Sequence, residues 1–299
     1  MIDPAGVQAL AALSDHGTVA AAATVLGFTP SAVSQQIKRL EVTIGEPLTE
    51  QVGRVLRLTP AGHLLVREGS GLITQWADLE ARLPRAGKAP SGRITLGAFP
   101  TAVRGIVIPA IRALRDRAPE LTVRPSEIDV GPGIDAVRAG RLDACVVHGW
   151  RGVAAPIPVD LVTEDIGTDH ADVAVREDHP LAGRERLTPA ELVDLMWTIQ
   201  PPGTICHRWF LYMFSALGRT PAQCWEVGEY ENQLELVREL GAVALIPRLG
   251  RPAFCPGIRF VPVVDPQPLR DITVIWRRGL QGTRQHEFLT RALRQVRTQ

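Results

Sequence analysis

Apolar positions in the first ninety residues recur at helical spacing. Val7, Leu10 and Ala11 mark an amphipathic helix that Gly17 ends. Thr18 is a hydroxyl N-cap directly after it, so a second helix starts there. Ala20 to Ala23 carry so little bulk that another helix can approach their backbone, and Gly27 supplies the turn. Thr29 and Pro30 follow as N-cap and first helical residue. Beyond them Val33, Ile37 and Leu40 repeat at i, i+4, i+7 and point inward, which leaves Ser31, Ser34, Gln35 and Lys38 on the opposite stripe. Such residues solvate any surface helix. They can also hydrogen-bond base edges and phosphates, Gln bidentate to adenine and Lys to guanine or phosphate. After Gly45 the run Glu46-Pro47-Leu48 turns the chain. Val52 to Arg57 then reads as a strand pair around Gly53-Arg54, the shape of a wing beside a helix-turn-helix.

A single long helix is predicted from the Thr59 cap and Pro60 to Leu83, before Pro84. Leu65, Gly69, Leu72, Trp76, Leu79 and Leu83 alternate at spacings of four and three, the seam of a two-helix coil. Packing on its own domain and pairing in a dimer stem both satisfy that seam, and Gly69 and Gly71 are expected to weaken its middle. Residues 84–92, with Pro84, Gly87, Pro90 and Gly92, read as a hinge.

From Arg93 onward short apolar runs alternate with helical patterns. Strands are predicted at Ile94 to Phe99, Leu121 to Ile128 and Ala144 to Val147, with helices at Val103 to Arg117 and Ile134 to Ala139. A second unit follows, with strands at Asp172 to Arg176, Trp197 to Gln200 and Ala242 to Ile246. Its helices lie near Thr188 to Leu195, Cys206 to Leu217 and Gln233 to Leu240. Asp271 to Arg277 reads as a returning strand before a terminal helix from Gly282 to Val296. This alternation predicts an α/β fold with a parallel sheet covered on both faces. The late strand closes the first lobe (about 93–163 and 266–299) around an inserted second lobe (about 164–265), with a cleft between them.

Ligands of open α/β sheets bind beyond the carboxyl ends of strands. That rule selects Phe99, Pro100, Thr101, Glu127 and His148 on one lobe, and Gly203, Thr204, Tyr230 and Glu231 on the other. Thr101 and Thr204 each stand before a predicted helix, where hydroxyls and free N–H groups can grip a carboxylate or similar anion. Each is also an ordinary N-cap. Gly131-Pro132-Gly133-Ile134-Asp135-Ala136 fits a loose dinucleotide pattern, but no acidic residue follows about 20 positions on, so a turn is expected. The aromatic cluster Trp209, Phe210, Tyr212 and Phe214 reads as packing.

Composition narrows this further. A chain of 299 residues suits two or three domains, and 45% hydrophobic against 22% charged residues is ordinary for globular protein. No apolar run reaches the length of a membrane span and Met1 leads straight into an amphipathic helix, so a cytoplasmic protein is expected. Net charge is +1, and the first 90 residues carry eight basic and eight acidic side chains. Strong non-specific attraction to DNA is therefore not expected, although Lys38, Arg39, Arg54 and Arg57 gather on the recognition helix and wing. Cys145, Cys206, Cys224 and Cys255 show no metal-binding spacing and read as reduced thiols. With no nucleophile elbow, HExxH, P-loop or forced carboxylate pair, neither catalysis nor a metal or other cofactor is expected.

The runs Ala20-Ala21-Ala22-Ala23-Thr24-Val25-Leu26-Gly27, Pro30-Ser31-Ala32-Val33-Ser34-Gln35-Gln36-Ile37-Lys38-Arg39-Leu40-Glu41, Gly45-Glu46-Pro47-Leu48 and Leu58-Thr59-Pro60-Ala61-Gly62 resemble the LysR-type transcriptional regulators. The resemblance implies a winged helix-turn-helix (1–59), a linker helix that dimerises (60–83), a hinge, and an effector domain (93–299) built like periplasmic solute-binding proteins. It implies a homodimer or homotetramer on a double-stranded operator, contacted by Thr29, Ser31, Ser34, Gln35, Lys38, Arg39, Arg54 and Arg57. A small molecule in the cleft would modulate that contact. Some members switch instead by joining two cysteines, and Cys206 and Cys224 lie in the corresponding region. A solute-binding protein is the remaining alternative. The chain departs from the family at Thr49 and Gln51, where Phe and Arg are usual; looser packing under the wing and a lost phosphate contact are expected.

Overall fold

The computed structural model describes residues 2–52, 55–82 and 90–296, with the side chains of 70 and 74–82 left aside. The chain forms two compact units, 1–84 and 85–299.

In the first unit, helices α1 (Pro4–His16), α2 (Val19–Leu26) and α3 (Pro30–Ile44) are each started by a side-chain cap, from Asp3, Thr18 and Thr29. Each ends on a glycine with positive φ, Gly17, Gly27 and Gly45, as the pattern predicts. Val33, Ile37 and Leu40 join Val7, Leu10, Leu13, Ala22 and Ala23 in one core. Strands β1 (Thr49–Val52) and β2 (Val55–Leu58) pair antiparallel as the wing. The structure corrects the expectation of loose packing at Thr49. Its hydroxyl donates to Glu41 Oε1 at 2.9 Å, and the same oxygen accepts from the backbone N of Leu48 and Thr49, both at 2.9 Å. A polar clasp therefore stands where an aromatic ring is usual. Thr59 ties the wing to α4 (Pro60–Arg82), donating to Pro47 O at 2.8 Å and capping Gly62 N at 3.1 Å. A Cβ on Gly62 would lie 2.1 Å from Leu48 O, so only glycine lets the helix start this close to the wing.

The α4 seam divides. Leu65, Val66 and Ile73 pack on the unit's own core, and a Cβ on Gly69 would meet Val7 Cγ1 at 2.9 Å. Gly69 is thus a close approach of α1, not the weak point expected of it. Leu72 is 67% exposed. Trp76 and Leu79, as side chains, and Leu83 lie outside the described residues, as do residues 84–89 of the expected hinge.

The second unit is built on a mixed nine-stranded sheet. Strand β3 (Gly92–Ala98) lies between the parallel strands β4 (Leu121–Glu127) and β5 (Ala144–Trp150). The expected all-parallel sheet is corrected beyond them. Strand β11 (Leu269–Arg277) runs antiparallel to both β5 and β6 (Leu161–Arg176). The 16-residue β6 is far longer than an ordinary strand because it serves both lobes. Residues 161–170 pair with β11, whereas Ala171 to Arg176 pair with β9 (Val243–Pro247) and β10 (Ile258–Pro262). Strands β7 (Trp197–Ile199) and β8 (Cys224–Glu226) complete the second lobe. The first half of β6, β8 and β10 carry too little regular alternation for the sequence pattern to select.

The helices are α5 (Pro100–Ala102), α6 (Ile108–Arg117), α7 (Val130–Arg138), α8 (Pro189–Leu192), α9 (Ile205–Phe214), α10 (Tyr230–Leu240) and α11 (Arg284–Gln295). A π-helical segment, Val103–Val107, joins α5 to α6. Gly131, Pro132 and Gly133 form the first turn of α7, not the free turn expected of them, since Pro is preset for an early helical position. A continuous apolar cluster joins the lobes, with Trp150 at the end of β5 lying 5.2 Å from Trp209 of α9 between ring centroids. Trp209 Nε1 donates to Arg151 O at 3.2 Å, which fixes the middle of α9 against the first lobe.

Candidate recognition face and effector cleft

On α3, Ser31, Ser34, Gln35, Lys38 and Arg39 are all exposed, on the side opposite Val33, Ile37 and Leu40. Thr29 is spent on structure, accepting from Ala32 N at 3.3 Å and lying 3.0 Å from Ser31 Oγ. Arg57 is exposed on β2; Arg54 lies outside the described residues. The face offers two hydroxyls, an amide and two cations within three turns, an array suited to a major groove.

In the second unit a cavity of about 830 Å³ opens beyond the carboxyl ends of β3, β4 and β5 and the starts of α5, α7, α9 and α10. Phe99, Pro100, Thr101, Glu127, His148, Gly203, Thr204 and Tyr230 all line it. Glu231 does not. It pairs with Arg104 of the π-helical segment and lines an adjoining cavity of about 400 Å³.

The floor of the cleft is set by two residues that the sequence pattern misses. Arg270, 1% exposed, donates from Nε and Nη2 to Asp169 Oδ2 at 3.0 and 2.7 Å. Its Nη2 also donates to Thr101 Oγ1 at 2.8 Å. The guanidinium lies over the rings of Phe99 and Trp150, 4.9 and 5.4 Å from their centroids. Nη1 has no hydrogen-bond partner among the described residues, so one donor corner remains for a ligand. The sequence pattern starts the two strands at Asp172 and Asp271. Both in fact begin earlier, so Asp169 and Arg270 lie inside them, side by side as register partners. Asp169 stands in the run Gly167-Thr168-Asp169-His170 and Arg270 beside Asp271, so neither is marked out by a local pattern.

Thr101 is correspondingly not an N-cap. Phe99 occupies that position, and the Thr101 hydroxyl holds Arg270 from within the first turn of α5. Thr204 does cap α9, accepting from His207 N at 3.1 Å and donating to Pro201 O at 2.9 Å. His148 is 4% exposed, edge-on to Phe99 at 4.5 Å between centroids. Burial, and then the charge of Arg270, hold its pKa well below the ordinary value of 6.5, so the ring is neutral at pH 7.

Cys206, in the first turn of α9, lines the cleft and lies 3.7 Å from the Tyr230 hydroxyl, which donates to its sulfur. Burial raises Tyr230 well above 10 and keeps it protonated. Cys224 does not line the cleft; it donates to Pro221 O, and burial together with Glu226 raises its pKa. Cys145 is inert, pushed up to about 12 by burial.

The two units match two known sequence profiles. Residues 5–63 match the bacterial regulatory helix-turn-helix protein, lysR family, and residues 87–297 match the LysR substrate binding domain. The chain belongs to the LysR family. It is a DNA-binding transcriptional regulator with an effector domain. Among curated LysR-family proteins it is 27% identical over 300 residues to the dual regulator OxyR of Escherichia coli, covering 96% of this chain and 93% of that one. It is 25% identical over 292 residues to the hydrogen peroxide-inducible genes activator of Dickeya chrysanthemi, covering 97% and 94%. It is also 27% identical over 269 residues to the regulator GbpR of Rhizobium radiobacter, covering 83% and 86%. Two solved structures share the fold. Full-length OxyR from Pseudomonas aeruginosa, carrying a point substitution, aligns with a TM-score of 0.77 at 20% identity, covering 100% and 96%. Full-length CbnR complexed with its target DNA aligns at 0.66 and 19%, covering 99% and 100%. Among the described residues no helix is long and apolar enough to cross a membrane.

Proposed function

We propose that this LysR-family regulator acts in the cytoplasm, catalyses no reaction, and reads its operator with Ser31, Ser34, Gln35, Lys38, Arg39, Arg54 and Arg57. A small molecule seated on Arg270 and His148 modulates that reading. The observation that carries the effector assignment is the buried Arg270, which lines an open cavity with Nε and Nη2 committed to Asp169 and Thr101. Asp169 also accepts from Leu249 N at 3.1 Å, so a ligand pulling on Arg270 acts on both β strands that pass between the lobes. The linker helix pairs with a second copy through Leu72, Trp76, Leu79 and Leu83, whereas Leu65 on the same seam packs on the unit's own core. A thermal-shift screen of metabolites tests the effector assignment, because a ligand present at 100 times its Kd stabilises the folded state by about 2.7 kcal/mol. Thr101→Val leaves Arg270 without one partner and should weaken that ligand by about 1–3 kcal/mol, with operator affinity in its absence unchanged.

A second reading is thiol-based sensing. It is supported by Cys206, which lines the cleft under the Tyr230 hydroxyl, and by the curated relatives named for hydrogen peroxide. Peroxide would then change operator binding, and Cys206→Ser would remove the change. A response that survives Cys206→Ser and Cys224→Ser assigns sensing to the cleft ligand instead.

A further inference from the structure

The charge around the cleft is lopsided. Its lining carries the carboxylates of Glu127, Asp129, Asp135 and Glu229 against the guanidiniums of Arg208 and Arg270. Arg270 is already matched by Asp169, which leaves an acidic cleft. All four carboxylates are exposed. Glu127, Asp129 and Asp135 make no ion pair or side-chain hydrogen bond among the described residues, and Glu229 accepts only from Asn232. Asp129 and Glu229 stand at the N-cap positions of α7 and α10, yet neither side chain caps its helix. An Asp at such a position normally does cap. Here Asp129 is left to the cleft and Glu229 is shared only with Asn232, at helix ends whose dipoles favour negative charge.

The floor is different in character. His148 is neutral and 4% exposed; among the described residues its Nδ1 has no hydrogen-bond partner and Arg270 keeps Nη1 unengaged. The hydroxyls of Thr101 and Thr204, which the sequence pattern offers to an anion, are occupied by Arg270 and by His207 N and Pro201 O. A simple carboxylate would therefore meet one corner of Arg270, the exposed Arg208 and four like charges. A molecule with a positively charged nitrogen would instead find partners at the rim, and its oxygen would find Nη1 on the floor.

We propose that the effector of this cleft is a small molecule carrying a cationic nitrogen, an amine or guanidine, together with a hydrogen-bond-accepting oxygen. This rests on the effector reading of the cleft and adds the chemical class to it. The cation sits among Asp129, Asp135, Glu127 and Glu229, and the oxygen accepts from Arg270.

One native and one engineered thiol report the sign of charge in the cleft, whatever the ligand is. Cys206 lines it, and Gly131 lines it too, exposed and with nothing within 4 Å of an added Cβ, so Gly131→Cys places a second reporter there. The full chain is labelled with the ethylammonium and the ethylsulfonate methanethiosulfonate reagents, and each rate at these two thiols is divided by the rate with free 2-mercaptoethanol. The normalised rates should favour the cation by about tenfold, since a cleft lined by one sign of charge raises the local concentration of the other. The preference should shrink toward one in the Asp129→Asn, Asp135→Asn double variant and in about 0.5 M salt, where screening is nearly complete beyond contact. A ratio of one or less at Gly131→Cys overturns the proposal, as does a preference that the double variant leaves untouched. A cation preference in a protein whose operator binding answers no metabolite would keep the charge assignment and remove the effector reading beneath it.

Discussion

The recognition face and the cleft solve opposite problems. On α3 the candidate base-reading groups stay in water while the apolar residues of the same helix are buried, so they form a solvated stripe on one local element. On the cleft floor the functional groups are themselves buried, and Arg270 reaches Thr101 across 169 positions of chain. A solvated stripe costs little to hold and tolerates substitution. A buried charge is held only because Asp169 and Thr101 are in place, so removing any partner is felt by the whole unit. Substitutions that touch each region should therefore differ in kind as well as size.

The largest effect is expected at the cleft floor. Asp169→Ala leaves Arg270 buried without its counter-charge and should lower the stability of the second unit by about 3–5 kcal/mol, read by urea unfolding of the full chain. A loss below about 1 kcal/mol, the range of an exposed pair, would mean that Arg270 escapes to water. In the first unit the sharpest steric point is Gly62, where an added Cβ would lie 2.1 Å from Leu48 O. Gly62→Ala should cost about 1–3 kcal/mol through the forced shift of α4 from the wing, and an unchanged first transition would show that the contact yields freely.

Substitution on the stripe should leave folding alone. Gln35→Ala should retain the parent melting curve and lose about 1–3 kcal/mol on the cognate operator, with discrimination relaxed at one base pair. Equal binding across a panel of operator variants would remove Gln35 from the base-reading set.

The smallest effect is a pH dependence. His148 has a folded pKa well below its unfolded value of 6.5, so the unfolded chain binds the proton that the folded chain refuses. Stability is unaffected by this group above pH 6.5 and falls as pH drops below it, by at most about 1.4 kcal/mol per unit until the folded pKa is reached. His148→Phe should flatten that part of the profile. Asp172 behaves in the same direction at lower pH. Burial would raise its carboxyl, but hydrogen bonds and charge from Arg248 and Arg251 outweigh this and hold it below 3.8. Its contribution is present above that value and is lost as pH falls through the depressed one.

The two regions also differ in what a sequence can reveal. The α3 stripe is legible because helix caps, the i, i+4, i+7 repeat and the exposed polar set all lie within 15 residues. Most cleft residues are legible as well, because ligands gather where parallel strands end and helices begin, a rule that locates Phe99, His148 and Gly203 without any contact information. Arg270 and Asp169 are not. Their partnership depends on the register of two antiparallel strands 101 positions apart, which no local period encodes. The Glu41 clasp on Thr49 is hidden for a related reason, since a carboxylate on a helix reads as solvated surface until its backbone partners are known. Thr101 shows the converse error. A hydroxyl before a helix suggests a cap, but Pro100 starts the helix one residue early and frees that hydroxyl for Arg270.

If the α3 stripe reads DNA and the cleft senses a ligand, each should be breakable alone. The most direct test is fluorescence anisotropy on a genomic fragment selected by the parent chain, with and without the small-molecule fraction of a bacterial lysate. Gln35→Ala should lose operator affinity in both conditions. Gly131→Trp, which fills the cleft from an exposed position with open space around it, should keep the parent's affinity and lose its response to the fraction. A full response in Gly131→Trp, or undiminished binding by Gln35→Ala, would contradict this division of labour.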